Sequence, residues 1–121
     1  MTPEAFNTFC ARLPHATHVV QWGGADVWKV GGKVFAIGGW SEDQALTVTF
    51  KCSPMSFEML KERPGLRPAP YLASRGLTWV QRVSTESMDD TALEDYLRAS
   101  HELAARALSK KRRKELGLIH S

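Results

Sequence analysis

Few residues in this sequence have chemistry that reaches beyond packing: two cysteines, four histidines, some paired acids and a run of cations. Cys52 directly precedes Ser53-Pro54, a pair that starts a helix. A helix N-terminus stabilises a thiolate, so the placement would suit a reactive cysteine. No histidine can be assigned as its base from sequence. The simpler reading, adopted for Cys10 as well, is a buried residue of modest size. His15 and His18 stand three apart, a spacing that metal sites use, but their segment holds no cysteine or carboxylate to complete a ligand set. A surface turn is expected there, with no metal. Glu42-Asp43 and Asp89-Asp90 fall at a turn and at a helix start, where acids have structural reasons to be, so no acid–base pair is assigned. The glycine pairs at 23–24, 31–32 and 38–39 lack the strand-to-helix spacing of a phosphate cradle. The expectation is a non-enzymatic chain with no cofactor.

The cations form the more informative pattern. Lys29, Lys33, Lys51, Arg75 and Arg82 lie on or beside expected strands, interleaved with Trp22, Trp28, Trp40, Tyr71 and Trp79. Cations that neutralise phosphate and aromatics that stack on bases would together suit nucleic acid. The plainer reading puts Trp22, Trp28 and Trp79 in the core and the lysines on the wet face of a sheet, leaving Trp40 as the exposed aromatic. Lys110, Lys111, Arg112, Arg113 and Lys114 follow one another at the expected end of the last helix, where cations complement the helix dipole or form a basic patch. Those five charges exceed the formal net charge of +3, so the rest of the chain stands at −2. Long-range attraction for phosphate is therefore expected to come from the C-terminal run.

These residues must be held by an ordered domain. The chain has 121 residues, 43% hydrophobic and 24% charged, which fits one globular unit without staples. Thr2-Pro3-Glu4 starts a helix, and Phe6, Phe9, Cys10 and Leu13 give it one apolar face up to Pro14. Val27 to Val30 and Val34 to Ile37 flank Gly31-Gly32-Lys33, the pattern of a hairpin. A further strand is expected over His18 to Trp22. Leu46, Val48 and Phe50 alternate with Thr47, Thr49 and Lys51, which predicts a strand with one buried and one wet face. Ser53-Pro54 opens a second helix that Pro64-Gly65 ends. Residues 64 to 76 read as a loop or short edge, and Leu77 to Val83 as another strand. The longest helix follows, with Leu93, Tyr96, Leu97, Ser100, Leu103, Ala104, Ala107 and Leu108 as its stripe. The fold class predicted is α+β, a two-layer α/β sandwich with helices on one face of an antiparallel sheet, in the order α-β(3)-α-β(1-2)-α. Residues 1 to 109 form the expected domain and 110 to 121 a basic tail. The opening Met-Thr-Pro-Glu-Ala-Phe has no basic n-region and no long apolar run, so a cytoplasmic protein with free thiols and no membrane partner is expected.

Several of these segments together resemble the MmcQ/YjbR family: Trp22-Gly23, Val30 to Ala36, Thr49 to Pro54, Arg67 to Leu72, Thr78-Trp79-Val80, and a last helix with Ser100 in its middle. The resemblance runs from about residue 3 to residue 108. Gln21 departs from it, where many relatives have lysine, as does His101, where an aromatic is common. The resemblance implies a fold like the type III secretion chaperones, and members are usually described as predicted DNA-binding proteins with a double-wing motif. The function expected is thus a DNA-binding module, with Lys29, Lys33, Trp40, Lys51, Arg75, Arg82 and the cations at 110–114 as contacts. The alternative is a protein- or peptide-binding module that uses the sheet face.

Overall fold

A computed structural model of the chain describes residues 1–39, 46–70, 72 and 76–117. Trp40, Glu42, Asp43, Tyr71 and Arg75, singled out above, lie outside the described residues. The elements in chain order are α1 (Pro3–Ala11), β1 (Ala16–Gln21), β2 (Ala25–Val30), β3 (Lys33–Gly38), β4 (Val48–Lys51), α2 (Pro54–Leu60), β5 (Leu66–Pro68), β6 (Trp79–Arg82), α3 (Asp90–Arg106) and α4 (Lys110–Glu115). The strands make one antiparallel sheet in the order β1-β2-β3-β4-β6-β5. This is the expected α+β architecture, with one more strand before α2 and a separate fourth helix.

Local chemistry explains the boundaries. Thr2, Ser53 and Asp89 cap α1, α2 and α3 by accepting from the backbone N–H groups of Ala5, Ser56 and Ala92. Gly31 and Gly32 sit at φ 57° and 87°, the positive values that the β2–β3 turn requires. Trp28 pairs with Ala36 and Lys29 with Val34, so Phe35 is an extra residue, a bulge. Phe35 and Ala36 consequently both enter the core under the helices, whereas Val34 packs on the opposite side.

α3 crosses β2, β3 and β4. Leu93, Leu97 and Ala104 meet Phe50, Val80, Phe35 and Phe6 in that core. Ser100 Oγ lies 2.5 Å from the carbonyl oxygen of Lys51 and 2.7 Å from that of Tyr96, so its proton ties the middle of α3 to β4. His101, missed as a core residue from sequence, is buried edge-on to Phe35 and its Nε2 is 2.7 Å from the Pro14 carbonyl.

The other face of the sheet corrects an expectation. Thr47 and Thr49 were assigned to a wet face, yet they are 2% and 0% exposed. Val27, Ile37, Thr49, Gln81 and Arg67 form one cross-strand row on this side. Ala69 and Leu72, from the segment after β5, pack with Val27, Ile37 and Trp79. A chain of hydrogen bonds runs from the exposed Arg67 into the buried Gln81 and Thr49: Arg67 Nε donates to Gln81 Oε1 at 2.7 Å, and Gln81 Nε2 donates to Thr49 Oγ1 at 3.1 Å, whereas the buried Thr47 Oγ1 has no hydrogen-bond partner among the described residues.

Candidate nucleic-acid interface

The distribution of cations follows from the register. Lys33 is exposed and begins β3 immediately after the Gly31-Gly32 turn. Lys29, half-buried on β2, pairs with Thr17 and Val34. Lys51 lies one residue beyond Phe50, which pairs with Ala36, and is itself opposite Trp79. All three lysines are therefore near the same end of the sheet, the end of the β2–β3 turn. Lys29 and Lys51 share parity with Val27 and Thr49, so they belong to the face without helices.

The C-terminal cations reach that same end by a route not read from sequence. α3 stops at Arg106 and is capped at Ala107. Ser109 then opens α4, its hydroxyl accepting from Arg112 N at 3.1 Å. The cations thus occupy a short helix of their own instead of ending α3. This helix is docked against the hairpin. A Cβ built on Gly31 would stand 2.7 Å from Leu108 Cδ1 and 3.2 Å from Leu116 Cδ1, so the bare glycine is what lets the two leucines in. Leu108 and Leu116 bracket Lys110 to Lys114, and both of them seat on the β2–β3 turn. Lys110, Lys111, Arg112 and Lys114 are exposed, and Arg113 is half-buried with its Nε unpartnered. Arg112 forms a 3.2 Å pair with Glu115.

Arg82 leaves the set. It is 5% exposed, its Nη1 donates to the Met88 carbonyl at 3.0 Å, and its Nη2 pairs with Asp90 at 3.0 Å. Asp90 also holds the Met1 ammonium at 3.0 Å. This guanidinium anchors the start of α3 to β6 and cannot meet phosphate without breaking that arrangement.

Among the described residues, no tryptophan joins the cations as an exposed surface. Trp28 and Trp79 are 5% and 7% exposed, as core residues should be. Trp22, also assigned to the core, is 53% exposed in the β1–β2 turn. That turn is at the opposite end of β2, about 20 Å from Gly31 at ~3.3 Å per residue.

The other reactive candidates are held in structural roles. Cys52 Sγ donates to the Thr78 carbonyl at 3.6 Å, and Thr78 Oγ1 donates to the Cys52 carbonyl at 2.7 Å. Burial pushes the Cys52 thiol up to about 11 and that of Cys10 up to about 12. Both are thus protonated near neutral pH, contrary to what a nucleophile needs. His18 Nε2 is 2.8 Å from Asp26 Oδ1, and its ring lies 4.9 Å from that of Trp28. Among the described residues no group of three or more His, Cys, Asp or Glu side chains could hold a metal ion. No helix among them is long and apolar enough to cross a membrane.

An open antiparallel sheet backed by a long C-terminal helix, with a basic helix folded against its hairpin, defines an α+β module. The YjbR family model matches residues 11–103, and the chain belongs to that family. Its fold is similar to that of Deinococcus radiodurans protein DR2400, which carries the family-model domain DUF419. The two share 25% identity over 99% of this chain and 91% of that one, with a TM-score of 0.82. A structural-genomics target protein from Pseudomonas syringae has a similar fold at 15% identity, covering 86% of this chain and 99% of that one, with a TM-score of 0.68. No curated protein matches the sequence.

Proposed function

We propose that this chain is a non-enzymatic module that binds duplex DNA through the end of the sheet where α4 meets the β2–β3 turn. The observation that carries the reading is the seating of Leu108 and Leu116 on Gly31, which docks the helix that carries the cations of residues 110–114 on the turn leading into Lys33. Lys110 and Lys111 stand at the positive end of the α4 dipole, and five like charges in succession repel one another. A polyanion would offset both costs. Among the described residues the exposed tryptophan, Trp22, is at the far end, so this surface is suited to phosphates and not to stacking on unpaired bases. The sheet-face alternative has little to use, because Val27, Ile37, Thr49 and Gln81 at the centre of that face are at most 1% exposed.

The test is duplex affinity across a salt series. Each phosphate neutralised contributes ~0.9 to the slope of log affinity against log salt. Replacing the five cations of residues 110–114 by glutamine should flatten that slope by up to about 4 units, and Lys33→Ala by about 1. Trp22→Ala should leave it unchanged. A wild-type chain that fails to bind duplex even at low salt, or a glutamine variant that keeps the full slope, overturns the reading.

A further inference from the structure

The sheet has two edges, and they are built differently. β5 spans Leu66–Pro68, and its proline has no N–H to offer while the Arg67 side chain is engaged by Gln81. These are the devices by which proteins close an edge to further strands. β1, at the other edge, has none of them. It runs six residues, Ala16–Gln21, with no proline, lysine, arginine or acid. Thr17 to Val20 are all exposed, Val19 at 37% and Val20 at 58%. Its inner side pairs with β2 over its whole length, and no strand among the described residues pairs with its outer side. An extended, uncharged and uncovered edge presents a row of backbone donors and acceptors ready for another strand.

We propose that β1 is a self-association surface on which a second copy of this chain adds its own β1 in antiparallel orientation, continuing the sheet across a two-fold axis. Three features favour a second copy. The strand is uncharged apart from any proton on His18, and His18 is already matched by Asp26 within the same chain, so self-pairing sets no like charges against each other. Head-to-tail pairing of β1 with β5 would build an open fibre, and Pro68 blocks it; β1 on β1 closes after two copies. The strand also fits itself. With the axis at Val19, each Val19 faces its equivalent, His18 faces Val20, and Thr17 faces Gln21. That register pairs five of the six residues of β1. An axis at His18 would also pair five but would set two imidazoles opposite each other. An axis at Val20 would place Thr17 against the glycine turn.

An edge pairing of this size is smaller than a standard interface, so the dimer should be weak, with a dissociation constant on the order of 10–100 μM. Sedimentation equilibrium of the wild-type chain from about 5 μM to 1 mM should show a reversible monomer–dimer transition. Val20→Lys sets an exposed charge on the edge and should weaken the dimer at least tenfold while leaving the thermal midpoint nearly unchanged. Val19→Cys should form an interchain disulfide under mild oxidation, since Cys10 and Cys52 are buried and do not compete. Val83→Cys, equally exposed but on the far side of the sheet, should not. A wild-type chain that stays monomeric to 1 mM, or cross-linking that is no faster through Val19→Cys than through Val83→Cys, overturns the proposal.

Discussion

At the centre of the sheet both faces are buried, but by different means. On the helix side the layer is almost wholly apolar, from Phe6 and Phe35 through Phe50 and Val80 to Leu93 and Leu97, and its charged residue, Arg82, sits at the rim under the start of α3. On the other side the apolar residues Val27, Ile37 and Trp79 are interrupted by the chain Arg67–Gln81–Thr49. The first face gains stability from excluded water and close packing. The second takes the Gln81 amide and the Thr49 hydroxyl out of water, and the hydrogen bonds that join them to each other and to Arg67 offset that cost. Volume is thus the sensitive quantity on one face, and hydrogen-bond geometry on the other.

Three measurements sharpen that contrast. The largest effect is expected on the helix side. Leu97 is fully buried, so Leu97→Ala should lower the unfolding free energy by ~2–5 kcal/mol in urea denaturation, the range for a cavity left by a core leucine. A loss under about 0.5 kcal/mol would show that this layer repacks freely. On the second face, Gln81→Leu keeps apolar bulk but removes the acceptor of Arg67 Nε and strands the fully buried Thr49 Oγ1. It should cost ~1–3 kcal/mol, with much of the loss absent in the Thr49→Val background, because the coupling is shared. Strict additivity of the two changes would mean that the chain is no network.

The smallest effect is electrostatic and lies at the rim. The Asp90 carboxyl is held below its usual range, first by the hydrogen bond from the Met1 ammonium and then by the one from Arg82. A carboxyl whose folded value is depressed adds stability above its unfolded value, and that stability is lost as pH falls through the folded one. Wild type should therefore lose stability from about pH 4 downward, near the ordinary aspartate value. Asp90→Asn should show a flatter profile in that window when the two urea midpoints are compared from pH 7 to pH 3. Parallel profiles would remove Asp90 from the acid response.

Much of the helix face was legible in the sequence because its signals are local. Thr2-Pro3 and Ser53-Pro54 mark helix starts through capping chemistry that needs no tertiary information. The 3.6-residue period placed Leu93, Leu97 and Ala104 correctly on the buried side of α3. The second face was misread because alternation reports polarity and not accessibility. Thr47 and Thr49 look like solvent-facing residues until Gln81, 32 positions beyond Thr49, is known to bond to it. Arg82 misled for the same reason: a cation on a strand implies solvent unless an acid such as Asp90 is known to face it. The break between α3 and α4 had one sequence signal, Ser109 as a cap, and the unbroken charge run after it hid that signal. For the candidate interface, the cations themselves were legible. Their gathering at one end was not, since it depends on two leucines meeting a glycine about 80 positions away.

That contact has a consequence for how charge is encoded in this chain. Gly31 carries no charge, yet the position of five cations depends on it. An alanine there would collide with Leu108 Cδ1 and would also be strained at φ 57°. The Gly31→Ala chain would have the same net charge, isoelectric point and composition of basic residues, with its electric field rearranged. Neutral substitutions at the hairpin and charge reversals in α4 thus belong to one mutational class, and counting cations along the sequence would never group them.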